Sequence, residues 1–212
     1  MKDIIELISN KIMWPKEYHN FADKNKYLNI PNSLNVISNL AFLIPVIYLL
    51  QLNKKSPKIN LLIIHILLLG ITSSYYHLNP SDETLFWDIL MIATTSMLVF
   101  NIVTNNQYGL LLYLLGILSV LYWKHSNDIR LYLIILISIP LYITIKHYKN
   151  KNVRPFLLIM VLSNIILRWS EHNDHLIYQV SNNQISGHTL KHVFAGIGLL
   201  SLMMILEKTK KI

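Results

Sequence analysis

Apolar residues in this chain come in long unbroken runs, not in alternation with polar ones. Seven stretches, 35–52, 59–77, 84–104, 108–123, 129–147, 154–170 and 187–206, are separated by brief connections rich in Asn, Lys, Pro and Ser. A helix needs roughly 20 mostly apolar residues to cross a bilayer, so the pattern predicts seven transmembrane helices. Ile and Tyr also suit strands, but a lipid-facing barrel strand alternates apolar and polar positions, and these runs do not. The expected fold is all-α, a polytopic seven-transmembrane helix bundle with no internal repeat. Residues 1–34 read as an N-terminal amphipathic segment, 35–207 as one transmembrane domain and 208–212 as a basic tail. The first segment interleaves Lys2, Lys11, Lys16, Lys24 and Lys26 with Asp3, Glu6, Glu17 and Asp23. It has no compact apolar core before a small-residue cleavage site, so it reads as water-facing chain and not as a signal peptide.

Composition agrees with the pattern. Hydrophobic residues make up 53% of the 212 and charged residues 14%, where soluble domains carry about 25% charged. Mean hydropathy is +0.40. With no cysteine in the chain, disulfides, thiolate-held metals and thiol catalysis are excluded, and any metal must rest on His, Asp or Glu. The formal charge of +8 sits in connections between apolar runs. It therefore speaks for topology and lipid headgroups, with no nucleic-acid partner. Counted over the inter-span connections and the C-terminal tail, one side carries Lys54, Lys55, Lys58, Lys146, Lys149, Lys151, Arg154, Lys208, Lys210 and Lys211, and the other Lys124, Arg130 and Arg168. The positive-inside rule then predicts a cytoplasmic C-terminus and an N-terminus outside.

Ionisable groups inside a membrane are costly and need a reason. Asp88 is the only Asp, Glu, Lys or Arg from Thr84 to Trp123. Alone, it reads equally well as a first-turn Asp favoured by the helix dipole. Span 2 ends Ser73-Ser74-Tyr75-Tyr76-His77 and span 7 opens Gly187-His188-Thr189-Leu190-Lys191-His192. Ser73 and His77 share a helix face, as do His188 and His192. A lone HxxxH is more often two hydrogen-bonded or interfacial histidines than a chelate. Topology strengthens it: span 2 runs toward the outer side, and spans 3 and 7 start there, so His77, Asp88, His188 and His192 lie at similar depth. Three His ligands with an open position are the pattern of a catalytic zinc site, and Asp88 can hydrogen-bond a ligand there.

Other polar residues read as structural. Asn32, Asn35 and Asn39 form a stripe on one face of span 1, suited to interhelical hydrogen bonding more than to supporting the site. His65 is expected to be a hydrogen-bonded core histidine. Glu171-His172-Asn173-Asp174-His175 is expected to be a solvated loop, with Glu171 or Asp174 the candidates for supporting the site. His19, His125 and His147 read as surface or interface residues. Lys191 is expected to snorkel to headgroups, and Trp87, Trp123 and Trp169 to belong to an aromatic belt.

The combination of Ser73-x-x-x-His77, Asp88 eleven residues later and His188-x-x-x-His192 in the last span resembles the alkaline ceramidase family, part of a wider group of seven-helix zinc hydrolases that includes adiponectin-receptor-like proteins. The entry Asn35-x-x-Ser38-Asn39 and the stretches Tyr18-His19-Asn20-Phe21-Ala22-Asp23 and Ile30-Pro31-Asn32 resemble bacterial ceramidase-domain proteins. The resemblance covers nearly the whole chain. It implies Zn2+ on His77, His188 and His192, Asp88 as proton shuttle, and Ser73 orienting water or stabilising an oxyanion. It implies hydrolysis of the amide of a ceramide-like lipid that enters sideways from the bilayer, in an integral protein of a bacterial inner membrane with its site near the outer face. Animal relatives carry an N-terminal calcium site; Trp14 and Glu17 fall outside its spacing and Asn32 stands where an acid is expected, so that site does not carry over. Two rival readings stand beside the hydrolase. One is a non-enzymatic receptor or assembly protein with a structural metal site. The other is a transporter, which needs polar groups at several depths, whereas here only His65 lies deeper.

Overall fold

The computed structural model describes residues 10–53, 56–105 and 107–211. Among these the secondary structure is helical, with no strand. Helix α1 (Ser33–Leu50) is followed by α2 (Pro57–Leu78), α3 (Asp82–Thr104), α4 (Gly109–Ser126), α5 (Arg130–His147), α6 (Arg154–His172), the short α7 (Asp174–Val180) and α8 (Gly187–Lys208). The helices follow the seven apolar runs to within three residues at either end. Six of them, α1 to α5 and α8, are long and apolar enough to cross a membrane. Helix α6 has 19 residues, about 28 Å of rise, but Arg154, Arg168 and Glu171 lower its hydropathy.

Local chemistry explains the helix boundaries. Pro57 opens α2 at a position where its missing N–H costs nothing. Helix α3 starts with a reciprocal cap between Ser81 and Thr84, and Asp82 and Glu83 sit at its positive end. Ser186 caps α8 by accepting from Thr189 N at 3.0 Å. Asn105 and Asn127 leave α3 and α4 in the left-handed conformation, which Asn tolerates. Helix α1 tightens to a 3-10 turn over Ser38–Phe42.

Helix α8 packs along α6 and α1, α2 along α3, and α3 along α4. Helices α5 and α6 touch only sparsely. Large apolar side chains crowd both the interior and the outer surface. Leu62, Ile66, Ile143, Met160 and Leu206 are buried, while Ile64, Ile71, Leu118, Ile134, Ile137 and Ile165 point outward. Helices apolar on both faces belong in hydrocarbon.

Residues 10–32, the described part of the chain before α1, depart in part from the expected water-facing role, and Lys2, Asp3 and Glu6 lie outside the described residues. Phe21, Ala22 and Asp23 are buried, and the segment is tied across one end of the bundle. Ile129 N donates to Ile12 O at 2.8 Å, Lys11 Nζ to Ser126 O at 2.9 Å, and Ala22 N to Asp174 Oδ2 at 2.8 Å. Asp23 accepts from Leu34 N at 2.9 Å and Asn35 N at 3.3 Å, which serves the first amide groups of α1. Sequence periodicity cannot show this strap, because it is irregular chain held by backbone contacts to distant helices.

Candidate metal centre and its cavity

Two helix ends meet under the strap. His77 lies in the last turn of α2, and His188 and His192 in the first two turns of α8. All three are buried, and one nitrogen from each lies within 4.8 Å of the others. His77 Nε2 and His192 Nε2 are 3.2 Å apart. At that distance two imidazoles either share a proton or aim both lone pairs at one cation. Two nitrogens on a tetrahedral zinc with bonds of about 2.0–2.1 Å stand about 3.3 Å apart, so the pair fits a small divalent ion. The other His192 nitrogen, Nδ1, meets Ser38 Oγ at 2.7 Å. That outer contact fixes the ring and leaves Nε2 for an ion.

The approach of α8 depends on Gly187. A Cβ there would lie 2.1 Å from Ser170 O and 2.8 Å from Asp174 Cα. His188 N in turn donates to Asp174 Oδ1 at 2.7 Å, and the other oxygen of that carboxylate holds Ala22. Asp174 therefore fastens the strap and the start of α8 together. Phe21 covers the histidines edge-on, with ring centroids 4.7 Å from His77 and 4.6 Å from His188.

His192 opens onto a cavity between α3, α5, α6 and α8. Its upper end is lined by Ser73, Asp88, Glu171, Lys191, Trp14 and Tyr18. The Ser73 hydroxyl faces the Asp88 carboxyl, and Asp88 Oδ1 is buried without a partner. Below this level the lining is mainly apolar, broken partway down by Thr95, Ser96 and Asn164, and it ends at Val99, Ile143, Met160 and Leu202. Tyr18, on the strap, donates to Glu171 Oε1 at 3.3 Å. Burial and the Glu171 charge push its phenol well above the usual tyrosine range, so it remains a donor.

The expected residues are placed as follows. The three histidines come together, and Ser73 and Asp88 line the adjoining cavity. Lys191 does not snorkel outward. It bonds Glu171 Oε1 at 2.5 Å inside the upper cavity, and Arg168 reaches Glu171 Oε2 at 3.1 Å. Glu171 and Asp174 are therefore working parts of the structure, not solvated loop. The Asn stripe does both jobs weighed for it. Asn35 Oδ1 binds Ser186 and Thr189 at 2.9 Å each, and Asn32 Nδ2 donates to His77 O at 2.9 Å. His65 is the core histidine expected, held by Leu61 O at 2.9 Å and Tyr113 Oη at 3.1 Å. The strap residues Phe21 and Tyr18 escape a reading by periodicity. Besides the resemblance carried by Tyr18 to Asp23, their signal is the cluster of aromatic residues at Trp14, Tyr18 and Phe21 in a largely polar segment.

The chain matches no protein-family model, no curated protein and no solved structure. Fold and site together define a class: a polytopic helical membrane protein whose buried tri-histidine cluster can hold a metal ion and borders an internal cavity.

Proposed function

We propose that the protein is a metal-dependent intramembrane hydrolase that cleaves the amide bond of a ceramide-like acyl lipid into a fatty acid and an amine. The observation that carries this reading is one cavity that joins His192, Asp88 and Ser73 at a polar end to a long, mainly apolar shaft. An amphipathic substrate suits such a space, with its tail in the shaft and its polar linkage at the charged end.

His77, His188 and His192 would hold the ion, taken here to be zinc. When bound, zinc supplies Lewis-acid polarisation of a carbonyl and makes water more acidic. Asp88, with an unpartnered buried oxygen, takes the proton from the attacking water and returns it to the departing amine. Ser73, facing Asp88, donates to the oxygen that gains negative charge as the carbonyl is attacked. Phe21 keeps bulk water from the histidines. The sparse contact between α5 and α6, with Arg168 and Asn164 at its edge, leaves a sideways route from the bilayer.

The reading includes α6 as a seventh span, with the strap outside and the Lys-rich connections in the cytoplasm, in keeping with the Lys and Arg count. It draws on the resemblance to the alkaline ceramidases and places the protein in a bacterial inner membrane.

The test is metal analysis of the purified chain together with a screen for fatty-acid release from N-acyl and O-acyl lipids. One zinc per chain and release from an amide lipid are expected, with both lost in His77→Ala and His188→Ala. Full activity in either variant overturns the assignment. Zinc without turnover on any lipid, and no response to Asp88→Asn, favours a structural metal site instead.

A further inference from the structure

The cavity has a depth that can be read from the helices around it. At its charged end it is lined by Asp88 of α3, Tyr132 of α5, Glu171 of α6 and Lys191 of α8. At its floor the same four helices contribute Val99, Ile143, Met160 and Leu202. On every helix the two levels are 11 residues apart in the sequence, about 16 Å at 1.5 Å per residue. One leaflet of a hydrocarbon core about 30 Å thick is close to 15 Å. The shaft is as deep as one lipid tail is long, and its floor is closed by buried side chains: Val99, Ile143 and Met160 are each at most 2% exposed.

The α8 wall of the shaft is built to leave room. Between Lys191 and Leu202 the residues facing the cavity include Ala195 and Gly198. A Cβ added at Gly198 would meet Ser163 Cβ at 3.4 Å and Asn164 Nδ2 at 3.9 Å. An alanine therefore fits in ordinary contact, whereas a longer side chain is stopped by α6 and must turn into the shaft. Ala195 lies four residues below Lys191 and Gly198 seven, about 6 Å and about 10 Å down.

We infer that this shaft is a length gauge for a single acyl tail, that Ala195 and Gly198 keep it open at two depths, and that Leu202 with Met160 sets its lower limit. The inference rests on the amphipathic-substrate part of the proposed function, and not on hydrolysis. A tail of ordinary membrane length fills the shaft. A shorter one leaves its lower part without contacts, and a longer one meets the floor.

Two readouts keep the length gauge and the hydrolase reading apart. The first is native mass spectrometry of the full chain in micelles containing an equal mixture of octanoate, laurate, palmitate and arachidate. The second is fatty-acid release from N-acyl amides of the same tails. The wild-type chain is expected to retain palmitate in preference to octanoate and arachidate. Gly198→Leu, which blocks the shaft about 10 Å down, is expected to lose palmitate and laurate by about tenfold while keeping octanoate, and Ala195→Leu to lose octanoate as well, which is the discrimination a hydrophobic pocket gives for a misfit of this kind. Leu202→Ala, which removes bulk at the floor, is expected to move the preference toward arachidate. It also keeps the inference testable if the larger side chains prevent folding. Retention of all four acids alike by the wild type, or a preference that Leu202→Ala and the two leucine variants leave unmoved, overturns the inference. If the gauge holds in binding but no amide is cleaved, the hydrolase reading fails and the gauge stands.

Discussion

Asp88 and Ser73 differ from the three histidines in what their loss should do. The histidines are packed so closely, with two nitrogens 3.2 Å apart, that removing one ring would take a ligand from any ion the cluster holds. Asp88 and Ser73 line the cavity beside them, and neither belongs to the cluster that can hold the ion. If the cluster holds zinc and the chain cleaves amides as proposed, Asp88→Asn is therefore expected to keep the metal and to lower amide hydrolysis by at least about 10²-fold, the usual contribution of a positioned base. Ser73→Ala is expected to keep its zinc and lower kcat by about 10²-fold. Metal content and initial rates, measured on the same preparations, check both. The spacing of Ser73 from His77 and of His188 from His192 made these residues legible in the sequence, because a helix puts i and i+4 on one face. Lys191 lies between the two histidines of that motif and was not legible. Its direction is set by Glu171, twenty residues earlier in the chain, and no periodicity within α8 reports a partner on α6.

Two connections between elements do more than join helices. The first is the turn from α7 into α8, where Gly187 lets α8 pass within contact of the Ser170 carbonyl and the Asp174 backbone. Gly187→Ala must push α8 away, and His188 moves with it. The expected result is a loss of stability of about 1–3 kcal/mol, the range for overpacking, and less than one zinc per chain, read by thermal unfolding and metal analysis. The second is the turn from α4 to α5. Asp128 is fully buried there, and Arg130 binds both its oxygens, from Nε at 3.0 and 2.8 Å and from Nη2 at 2.6 Å. Ile12 N of the strap donates to the same carboxylate at 3.4 Å. The Arg130 hydrogen bonds hold the Asp128 carboxyl down to about 2, below its ordinary 3.8. A carboxyl depressed by folding adds stability that is complete above the ordinary value and is lost as pH falls through the depressed one. Unfolding midpoints are expected to fall between about pH 4 and pH 2, and Asp128→Asn is expected to be less stable at neutral pH and flatter across that window. A variant with the wild-type slope would show that this turn does not clamp the strap.

Across the whole molecule, the proposed function puts the tri-histidine end outside and the Lys-rich connections inside. The absence of cysteine makes this directly measurable. Single substitutions Lys26→Cys and Lys210→Cys, exposed to a membrane-impermeant thiol reagent in intact cells, are expected to give labelling at position 26 and none at 210 until the membrane is opened. The reverse pattern would put the site on the cytoplasmic face.

The sequence by itself determined that the chain is helical and suited to a membrane, and where its long helices begin and end to within a few residues. Those properties follow from run length and local caps, which act between neighbours in the chain. It also brought out the three histidines, because each pair of site residues shares one helix face and the spans alternate in direction. Only the tertiary structure decided that the nitrogens meet closely enough for one ion, that Phe21 and Tyr18 close the end of the bundle, and that Asp174 ties the strap to α8. Those contacts join residues as distant in the chain as Phe21 and His188, and several end on backbone amides, which carry no residue identity for a pattern to reveal. The depth of the cavity belongs to the structure for a related reason: a void is defined by four helices at once, and each helix alone shows only an apolar stripe.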